Sequence, residues 1–339
     1  MFRIRAVKKN DLEDLYELSQ LLVFINLPAD KELLNKQILS SIKSFENPSK
    51  LLEKNYYIFV LEDTDINKVI GASMIHGKHG TPQEPHYFLK VGQEHKFSKS
   101  LNTGFVHGTL KLGLETDGFT EIGGLVLHPD YRGRPGKLGK CLSFTRFLYM
   151  AFHSDQFTSY IHSELMPPLD SNGDSPLWEA IGRRFMNMDY VEADLLSREN
   201  KEFILNLFPS DTIYGTLLTP EARNAIGKVG EETKPVKKML ESIGFHYTDE
   251  VDPFDGGPHY RAKKDSIKPI QNKFEATLEP VKNINKKDSF IISIQDEGNE
   301  FLAVPISGSL TGDTLQISEE DLKKLSLNTS QKIKGIFLD

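Results

Sequence analysis

A stretch near the middle of the chain combines glycines with positively charged side chains. Residues 132–140 read Arg-Gly-Arg-Pro-Gly-Lys-Leu-Gly-Lys. A pyrophosphate needs backbone N–H groups, little steric bulk and positive charge, and a following helix adds its positive N-terminal end. Glu121–Leu127 before the loop is typical of a strand, and Cys141–Phe152 after it predicts an apolar helix. The segment predicts a phosphate-binding site; a plain basic surface turn is the alternative.

Both helices and strands must position this loop. Before it, the pattern predicts a strand at the N-terminus, two helices and a hairpin; after it, a strand and a helix opened by Ser175 and Pro176. The order is therefore strand, two helices, hairpin, strand, basic loop, helix, strand, helix. The strand segments of this part are Phe2–Ala6, Tyr56–Leu61, Val69–Ile75, Glu121–Leu127 and Thr158–Leu165.

The composition of the chain and its predicted secondary structure change near Lys264. Several lysines and Pro269 lie among polar residues there, which predicts a linker, and four short strand patterns follow. We expect two domains, residues 1–264 and residues 265–339, the second small and rich in β-structure.

Bulk composition excludes several classes of protein. The chain has 339 residues, 38% of them hydrophobic, a net charge of −7 and a single cysteine. The acidic balance argues against a non-specific nucleic-acid binder. One cysteine allows no internal disulfide, no apolar signal core follows Met1, and no run reaches the length of a membrane span. A soluble, cytoplasmic protein is the expectation.

The order of elements resembles the GCN5-related N-acyltransferase fold, a mixed α+β sheet flanked by helices. Scattered motifs also resemble the arginine N-succinyltransferase family, and the small β-rich C-terminal appendage is similar to that family's C-terminal part. The motif residues are Ser175-Pro176-Leu177-Trp178, Gly182-Arg183-Arg184-Phe185, Met188-Asp189-Tyr190, Ala193-Asp194, Lys201-Glu202-Phe203-Ile204, Ile213-Tyr214, Ile226-Gly227 and Phe254-Asp255-Gly256-Gly257-Pro258.

The resemblance implies an enzyme of arginine catabolism in which succinyl-CoA and L-arginine give N2-succinylarginine and coenzyme A. Succinyl-CoA would be a substrate, with no tightly bound cofactor and no metal. Backbone N–H groups of the strand before the loop would stabilise the oxyanion, and Leu125 matches a family leucine that contacts succinyl-CoA. The expected acyl-CoA-binding residues are Leu125, Val126, Leu127, Arg132, Arg134, Gly136, Lys137 and Gly139.

Three departures from the family pattern bear on the substrate. The loop is longer, with Lys137 at a glycine position; Met166 replaces an arginine that could hold a carboxylate; and Gly230 replaces the catalytic histidine. Glu231 and Glu232 lie beside the vacant position and are the candidate catalytic residues.

Further candidates and two competing functions stay open. His246 and His259 could also exchange a proton, although structural roles are common for such side chains. The competing functions are transfer with another amine or acyl donor, and a non-catalytic subunit of a heteromeric succinyltransferase. A homo- or hetero-oligomer with a homologous chain is a possible assembly, and neither nucleic acid nor membrane is an expected partner.

Other chemistry-bearing residues are weaker candidates. His76 and His79 resemble a metal-binding pair but lack spaced partners. Cys141 lies on the helix after the loop, near where a thiolate would leave, although a plain helix residue is the simpler interpretation. Asp189, Glu192 and Asp194 could face a guanidinium group or simply lie on a solvated helix face.

Overall fold

The computed structural model describes residues 1–21, 27–197, 200–284, 287–295, 300–325, 327–329 and 331–338. Within them the strands are β1 (Phe2–Ala6), β2 (Tyr56–Asp63), β3 (Lys68–His79), β4 (His86–Ser98), β5 (Thr103–Glu115), β6 (Phe119–Leu127), β7 (Tyr160–Glu164), β8 (Ile213–Tyr214), β9 (His246–Val251), β10 (Pro258–Lys263), β11 (Phe274–Val281), β12 (Asp288–Gln295), β13 (Phe301–Thr311), β14 (Thr314–Ser318) and β15 (Lys332–Phe337).

The α-helices are α1 (Leu12–Ser19), α2 (Lys31–Glu46), α3 (Leu138–Phe152), α4 (Pro176–Ala180), α5 (Gly182–Met186), α6 (Tyr190–Ser197), α7 (Glu202–Leu207), α8 (Pro220–Ala225), α9 (Lys234–Ser242), α10 (Lys268–Gln271) and α11 (Glu319–Lys324). The architecture is a mixed α+β fold, as the sequence predicts. No helix among the described residues is long and apolar enough to cross a membrane.

The chain divides into two compact units. Unit 1 contains Met1–Lys78, Thr120–Ser159 and Lys263–Asp339, and unit 2 contains His79–Phe119 and Tyr160–Ala262. The second unit is therefore an insertion, in two pieces, into the sequence of the first.

In unit 1 the strands follow the order β12-β15-β11-β14-β13-β1-β2-β3-β6. The hairpin of β2 and β3 is antiparallel, as predicted from its turn-like Asp63–Asn67 stretch. Apolar side chains of α1 and α2 cover one face of these strands, where Leu15 and Ile38 pack in the same buried cluster as Val60 and Val126. Because side chains alternate along a strand, this burial sends Leu125 and Leu127 to the opposite face of β6.

The C-terminal strands are joined to the N-terminal strand. In the antiparallel pair of β1 and β13, Ile4 lies opposite Ala303. The ring of Phe301 also lies 5.3 Å from that of Phe59 and 5.4 Å from that of Tyr149. The C-terminal strands have an apolar cluster of their own as well, with Phe290 and Leu315 fully buried. Whether residues 265–339 form a domain that folds separately stays a prediction.

The lysine-rich stretch near residue 264, predicted as a linker, packs against other residues of unit 1. Lys264 is buried, and its ammonium group donates to the carbonyls of Ser154 and Phe157. Lys273 donates to the carbonyl of Ala151 at 2.6 Å. Lysine-rich composition suggested a solvated connection, but these amines bind carbonyl groups near the C-terminal end of α3, where positive charge is favourable.

Unit 2 is built on the strand order β7-β10-β9-β4-β5-β8. Strands β4 and β5 form a long antiparallel hairpin, in register from His86 opposite Glu115 to Ser98 opposite Thr103. The short helices pack around Trp178, which is fully buried and stacks on Phe254 with ring centroids 5.0 Å apart. Ser175 caps α4 as predicted, because its hydroxyl accepts from the N–H of Trp178.

Two local predictions are wrong in detail. The sequence pattern after Ser175 and Pro176 predicts one helix to about Phe185, but the helix is divided at Ile181, whose φ of −126° and ψ of −72° leave the helical region. Gly182 packs against the indole of Trp178, where a Cβ atom would lie 2.2 Å from Cε3, so close approach to the ring divides the helix. Strand β11 was not expected from the sequence pattern.

Candidate functional site

The basic loop of unit 1 connects β6 to α3. Near the end of β6, Gly124 has a φ of +54°, a conformation that interrupts a regular strand and favours glycine. A Cβ atom at this position would lie 2.6 Å from the sulfur of Met74, so the site also lacks space for a side chain. Leu125 and Leu127 are half-buried, whereas Val126 is buried against the α1 and α2 layer.

The loop holds its cations at the surface. Residues 132–137 are exposed. Arg132 donates through Nε to the carbonyl of Leu127 (3.1 Å), and Arg134 through Nε to that of Asp130 (2.7 Å). The Arg134 guanidinium also stacks over the ring of Tyr131 at 4.1 Å. These contacts fix the direction of both arginine side chains.

Glycines give the loop its left-handed turns and leave its backbone accessible. Gly133 and Gly136 have φ values of +71° and +97°, and Lys137 adopts the left-handed conformation with a φ of +51°. A Cβ atom on Gly136 or Gly139 would meet nothing closer than 3.8 Å, so the backbone there is accessible. The loop therefore combines exposed cations with backbone that a ligand can approach.

Helix α3 starts three residues earlier than the apolar pattern indicated, at Leu138 instead of Cys141. Gly139 and Lys140 consequently belong to its first turn. That turn contains no acidic residue. The first N–H groups of a helix lack partners within it, and together with the helix dipole they favour an anion. Phosphate binding at this end of α3 stays a prediction.

A buried arginine lies behind β6. Arg146 of α3 is 2% exposed and donates to the carbonyl of Gly123 (3.3 Å), the carbonyl of Ser143 (3.0 Å) and the hydroxyl of Ser143 (2.6 Å). Burial lowers the pKa of this guanidinium to about 9. The described residues give it no carboxylate partner. Sequence analysis did not single it out, since an arginine in an apolar helix pattern has no distinguishing spacing.

Cys141 is not an activated nucleophile. Its side chain is fully buried and its thiol donates to the carbonyl of Gly136 at 3.3 Å. Burial raises the pKa of the Cys141 thiol to about 12. The thiol therefore stays protonated near neutral pH.

Segments far apart in the sequence meet around one loop of unit 2. The N–H of Gly230 donates to the carbonyl of Met166, and that of Gly227 to the carbonyl of Gly256, each at 2.9 Å. Gly257 lies so close to the residue after β7 that a Cβ atom on it would be 2.5 Å from the Leu165 carbonyl oxygen. The motifs around residues 165–167, 226–230 and 254–258 therefore form one constellation.

Gly230, where the resemblance predicts the family histidine, has extended backbone with φ −62° and ψ 158°. Any amino acid can adopt this conformation. Glu231 and Glu232 follow in a single 3₁₀ turn, and both are exposed. Glu231 forms an ion pair with Lys234.

The two histidines considered as alternative proton-transfer groups differ in their burial. His246 is exposed on β9, whereas His259 is completely buried on β10. Of the acidic helix residues, Asp189 forms an ion pair with Arg183. Asp194 is buried and close enough to Asp255 to raise the pKa of that carboxyl group.

A pair of acidic side chains organises the turn before β10. One carboxylate oxygen of Asp252 accepts from the N–H groups of Phe254 (2.7 Å) and Asp255 (3.0 Å), and Asp255 accepts from Gly257 (2.7 Å). Burial and the nearby Glu164 raise the pKa of Asp252 to about 7, and burial and Asp252 raise that of Asp255. A site where carboxylates are hard to ionise together favours a cationic ligand.

Three histidines and one glutamate form a further group in unit 2. Their potential ligand atoms, from His86, His162, Glu164 and His259, all lie within 4.8 Å of one another. Burial and the neighbouring histidines lower the pKa of His86. No metal site was predicted from the sequence, because the members of this group come from three strands. The pair His162 and Glu164, which share one face of β7, was the available signal.

The two histidines that the sequence suggested as a metal pair are not members of this group. His76 bonds through Nε2 to the carbonyl of Glu53 at 3.0 Å. His79 accepts from the ammonium group of Lys201 at 3.0 Å, and its ring packs edge-on against that of His86.

Comparisons with known proteins identify relatives of this chain. A family model described as arginine N-succinyltransferase beta subunit matches residues 2–269. Arginine N-succinyltransferase of Yersinia pseudotuberculosis serotype O:3 (strain YPIII) is 31% identical over 348 residues, covering 100% of this chain and 98% of the relative. That of Shigella dysenteriae serotype 1 (strain Sd197) is 35% identical over 274 residues, covering 80% of this chain and 78% of the relative.

One solved structure is similar over the whole length of this chain. Arginine/ornithine succinyltransferase subunit AI from Pseudomonas aeruginosa superimposes with a TM-score of 0.85 at 25% identity, covering 100% of this chain and 99% of that one. The family model, the full-length relatives and this structural match lead to one conclusion: the chain belongs to the arginine N-succinyltransferase family of acyltransferases.

Proposed function

We propose that this protein transfers the succinyl group of succinyl-CoA to the α-amino group of L-arginine, giving N2-succinylarginine and coenzyme A. The observation that carries this proposal is the open basic loop of residues 132–140 at the N-terminal end of α3. Its exposed cations, accessible glycine backbone and acid-free first helical turn fit the pyrophosphate of coenzyme A.

In the proposed complex, Arg132, Arg134 and Lys137 bind the pyrophosphate, and the backbone at Gly136 and Gly139 approaches it closely. Backbone N–H groups of Leu125, Val126 and Leu127 bind the thioester part, where they stabilise the oxyanion as the amine attacks. The contact from Arg146 to the Gly123 carbonyl supports this role, because it fixes the strand directly before the interrupted residue Gly124.

The reaction requires one proton to leave the amine and one to reach the departing sulfur. The amine nitrogen attacks the thioester carbon, a C–N bond forms, the C–S bond breaks, and coenzyme A leaves as thiolate or thiol. The α-amine of a peptide N-terminus has a pKa of about 7.7–8.0, and in free arginine the neighbouring carboxylate raises this pKa, so the ammonium group must lose a proton before it attacks. Glu231 or Glu232 is the proposed proton acceptor, since both are exposed beside Gly230.

The electrostatics of unit 2 support a cationic acceptor. Asp252 and Asp255 lie in the motif turn that contacts the Gly227–Gly230 segment through the Gly256 carbonyl. Their raised pKa values mean that a guanidinium or ammonium group would gain attraction by ionising them. The guanidinium group of arginine stays charged while the α-amine reacts, which makes arginine the favoured acceptor.

One observation favours a second function. Gly230 provides no acid or base where the family has its histidine, and the structurally similar Pseudomonas protein is named as a subunit. A non-catalytic chain that assembles with an active homologue, in a hetero-oligomer, is therefore the competing proposal. Met166 in place of the family arginine instead favours the same chemistry on a different amine or acyl donor. We also propose a cytoplasmic location, because succinyl-CoA is an intracellular metabolite.

The test is release of free thiol over a panel of acyl-CoAs and amino acids, with the product identified by mass spectrometry. We expect succinyl-CoA with arginine to give the fastest release and N2-succinylarginine as product. Preference for another pair would replace the proposed substrates. Inactivity alone, but enhancement of a homologous active chain, would support the subunit function.

Binding of coenzyme A is tested separately by calorimetry. Losing one charge-assisted hydrogen bond costs about 1.5 kcal/mol or more, about tenfold in affinity. Replacing Arg132 and Arg134 together with alanine should therefore weaken binding about 100-fold. The matched control is Lys50→Ala with Lys54→Ala, which removes two exposed cations from unit 1. Equal affinities in the two folded double variants would exclude the loop as the site.

A further inference from the structure

We propose that His86, His162, Glu164 and His259 bind a zinc ion that ties together three strands of unit 2. The group offers three imidazoles and one carboxylate whose ligand atoms lie within 4.8 Å of one another. Nitrogen and oxygen donors of these types are the ligands that zinc takes in proteins, and four protein ligands complete a tetrahedral shell.

The distances to Glu164 are those of a coordination shell. Its Oε1 atom lies 3.6 Å from Nδ1 of His86, 3.5 Å from Nε2 of His162 and 3.8 Å from Nε2 of His259. Ligands about 2.0–2.1 Å from a tetrahedral zinc ion are about 3.3–3.4 Å apart. The three contacts therefore exceed the ideal edge by a few tenths of an ångström, a gap that small side-chain rotations can close.

Direct hydrogen bonding does not account for these contacts. An N–H···O bond has a donor–acceptor distance of about 2.7–3.2 Å, shorter than all three. The imidazole rings also converge on each other, with centroids of His162 and His259 4.9 Å apart and of His86 and His259 5.1 Å apart. Three imidazole nitrogens therefore lie around one carboxylate oxygen, each beyond the usual length of a hydrogen bond to it.

Burial makes the group costly without a ligand. His86, His162 and His259 are 2%, 1% and 0% exposed. Buried polar atoms are normally satisfied, and one zinc ion would bind a ring nitrogen of each of these three imidazoles.

The position of the site indicates a structural role. His86 begins β4, His162 and Glu164 lie on β7, and His259 is the second residue of β10. Glu164 directly precedes Leu165 and Met166, whose backbone contacts the motif glycines Gly257 and Gly230. Zinc would thus fix the strand ends that hold this constellation, and four protein ligands leave no open position for a substrate.

The first test measures zinc in the full-length protein by inductively coupled plasma mass spectrometry. After saturation with zinc chloride and removal of excess metal, we expect one zinc per chain. Replacement by Co²⁺ should give the intense visible absorption of a tetrahedral site. Removing zinc with a chelator should lower the melting temperature, and adding zinc back should restore it.

Variants assign the ligands. Glu164→Gln keeps the size of a half-exposed side chain and should weaken zinc binding at least about 100-fold, measured against a competing chromophoric chelator. His162→Ala with His259→Ala should abolish the stoichiometric zinc and the cobalt spectrum. The control, His95→Ala, removes an exposed histidine of β4 and should leave both unchanged.

Two results would overturn the proposal. One is wild-type protein that retains no zinc and gives an octahedral cobalt spectrum. The other is a folded Glu164→Gln variant that binds zinc as tightly as the wild type. Either result would leave the acyl-transfer proposal untouched, because that proposal depends on the basic loop of unit 1 and is read out by thiol release.

Discussion

Placing histidine at position 230 tests how this chain manages proton transfer. Gly230 has φ −62° and ψ 158°, values open to any side chain, so the substitution introduces no backbone strain. Its Cβ atom would lie 3.0 Å from the carbonyl oxygen of Pro167, against 3.4 Å for an ordinary contact. The loop must therefore move by about 0.4 Å, at a cost of about 1 kcal/mol, the low end of overpacking.

The expected gain in reaction rate from a histidine at position 230 outweighs this loss of stability. A positioned acid/base group contributes about 10²–10⁴-fold to a rate, and we expect the lower end, about 10²-fold at pH 7, for a side chain added without its supporting contacts. The wild-type rate should rise with pH, because a thiol with a pKa near about 8.5 then leaves more readily and the amine is more often neutral. Gly230→His should flatten this profile between about pH 6.5 and 8.5, as an imidazole with a pKa of about 6.5 takes part.

The assay is thiol release from succinyl-CoA with arginine across this pH range, with melting temperatures measured in parallel. Gly230→Ala adds only the Cβ atom, and Gly230→Gln adds similar bulk without a titrating group. Both should retain wild-type rates within a few-fold. A stable Gly230→His variant without gain, beside an already fast wild type, would refute the reasoning and show that another group transfers the proton.

Three further predictions concern unit 1. Removal of the chain after Lys264 should cause aggregation and loss of cooperative unfolding, since β1 loses its partner β13; the point variant Phe301→Ala should cost about 2–3 kcal/mol in chemical denaturation. Cys141 should resist alkylation at pH 8 until the protein unfolds, because burial raises the pKa of its thiol to about 12, whereas an exposed thiol from Ser100→Cys should react at once; equal reaction of both would contradict the burial. Arg146→Met should raise the KM for succinyl-CoA, because the hydrogen bond to the Gly123 carbonyl is lost; an unchanged or lower KM would exclude its positioning role.

Local features of this fold were predictable because they depend on neighbouring residues. The turn-like stretch Asp63–Asn67 between two branched, aromatic runs predicted the β2–β3 hairpin. Ser175 and Pro176 predicted the start of α4 through the capping hydroxyl. The same holds for the loop before α3, although three extra residues of that helix were hidden among its glycines and lysines.

Features that depend on partners distant in sequence were not predictable. The lysines near residue 264 resembled a solvated linker because their acceptors, carbonyls at the end of α3, are known only once the chain is folded. The contact of the buried Arg146 was unpredictable for the same reason, since its acceptor, the Gly123 carbonyl, belongs to another element.

For the candidate site, the sequence by itself determined the basic loop, since charge, glycine content and the following helix are all contiguous within residues 121–152. It also determined that position 230 has no acid or base. Only the tertiary structure decided that Gly230 has backbone open to a side chain, and that residues 86, 162, 164 and 259 converge on one point. The physical reason is that a strand pattern specifies which residues share a face, whereas the pairing of strands, set by burial of the whole core, specifies which faces meet.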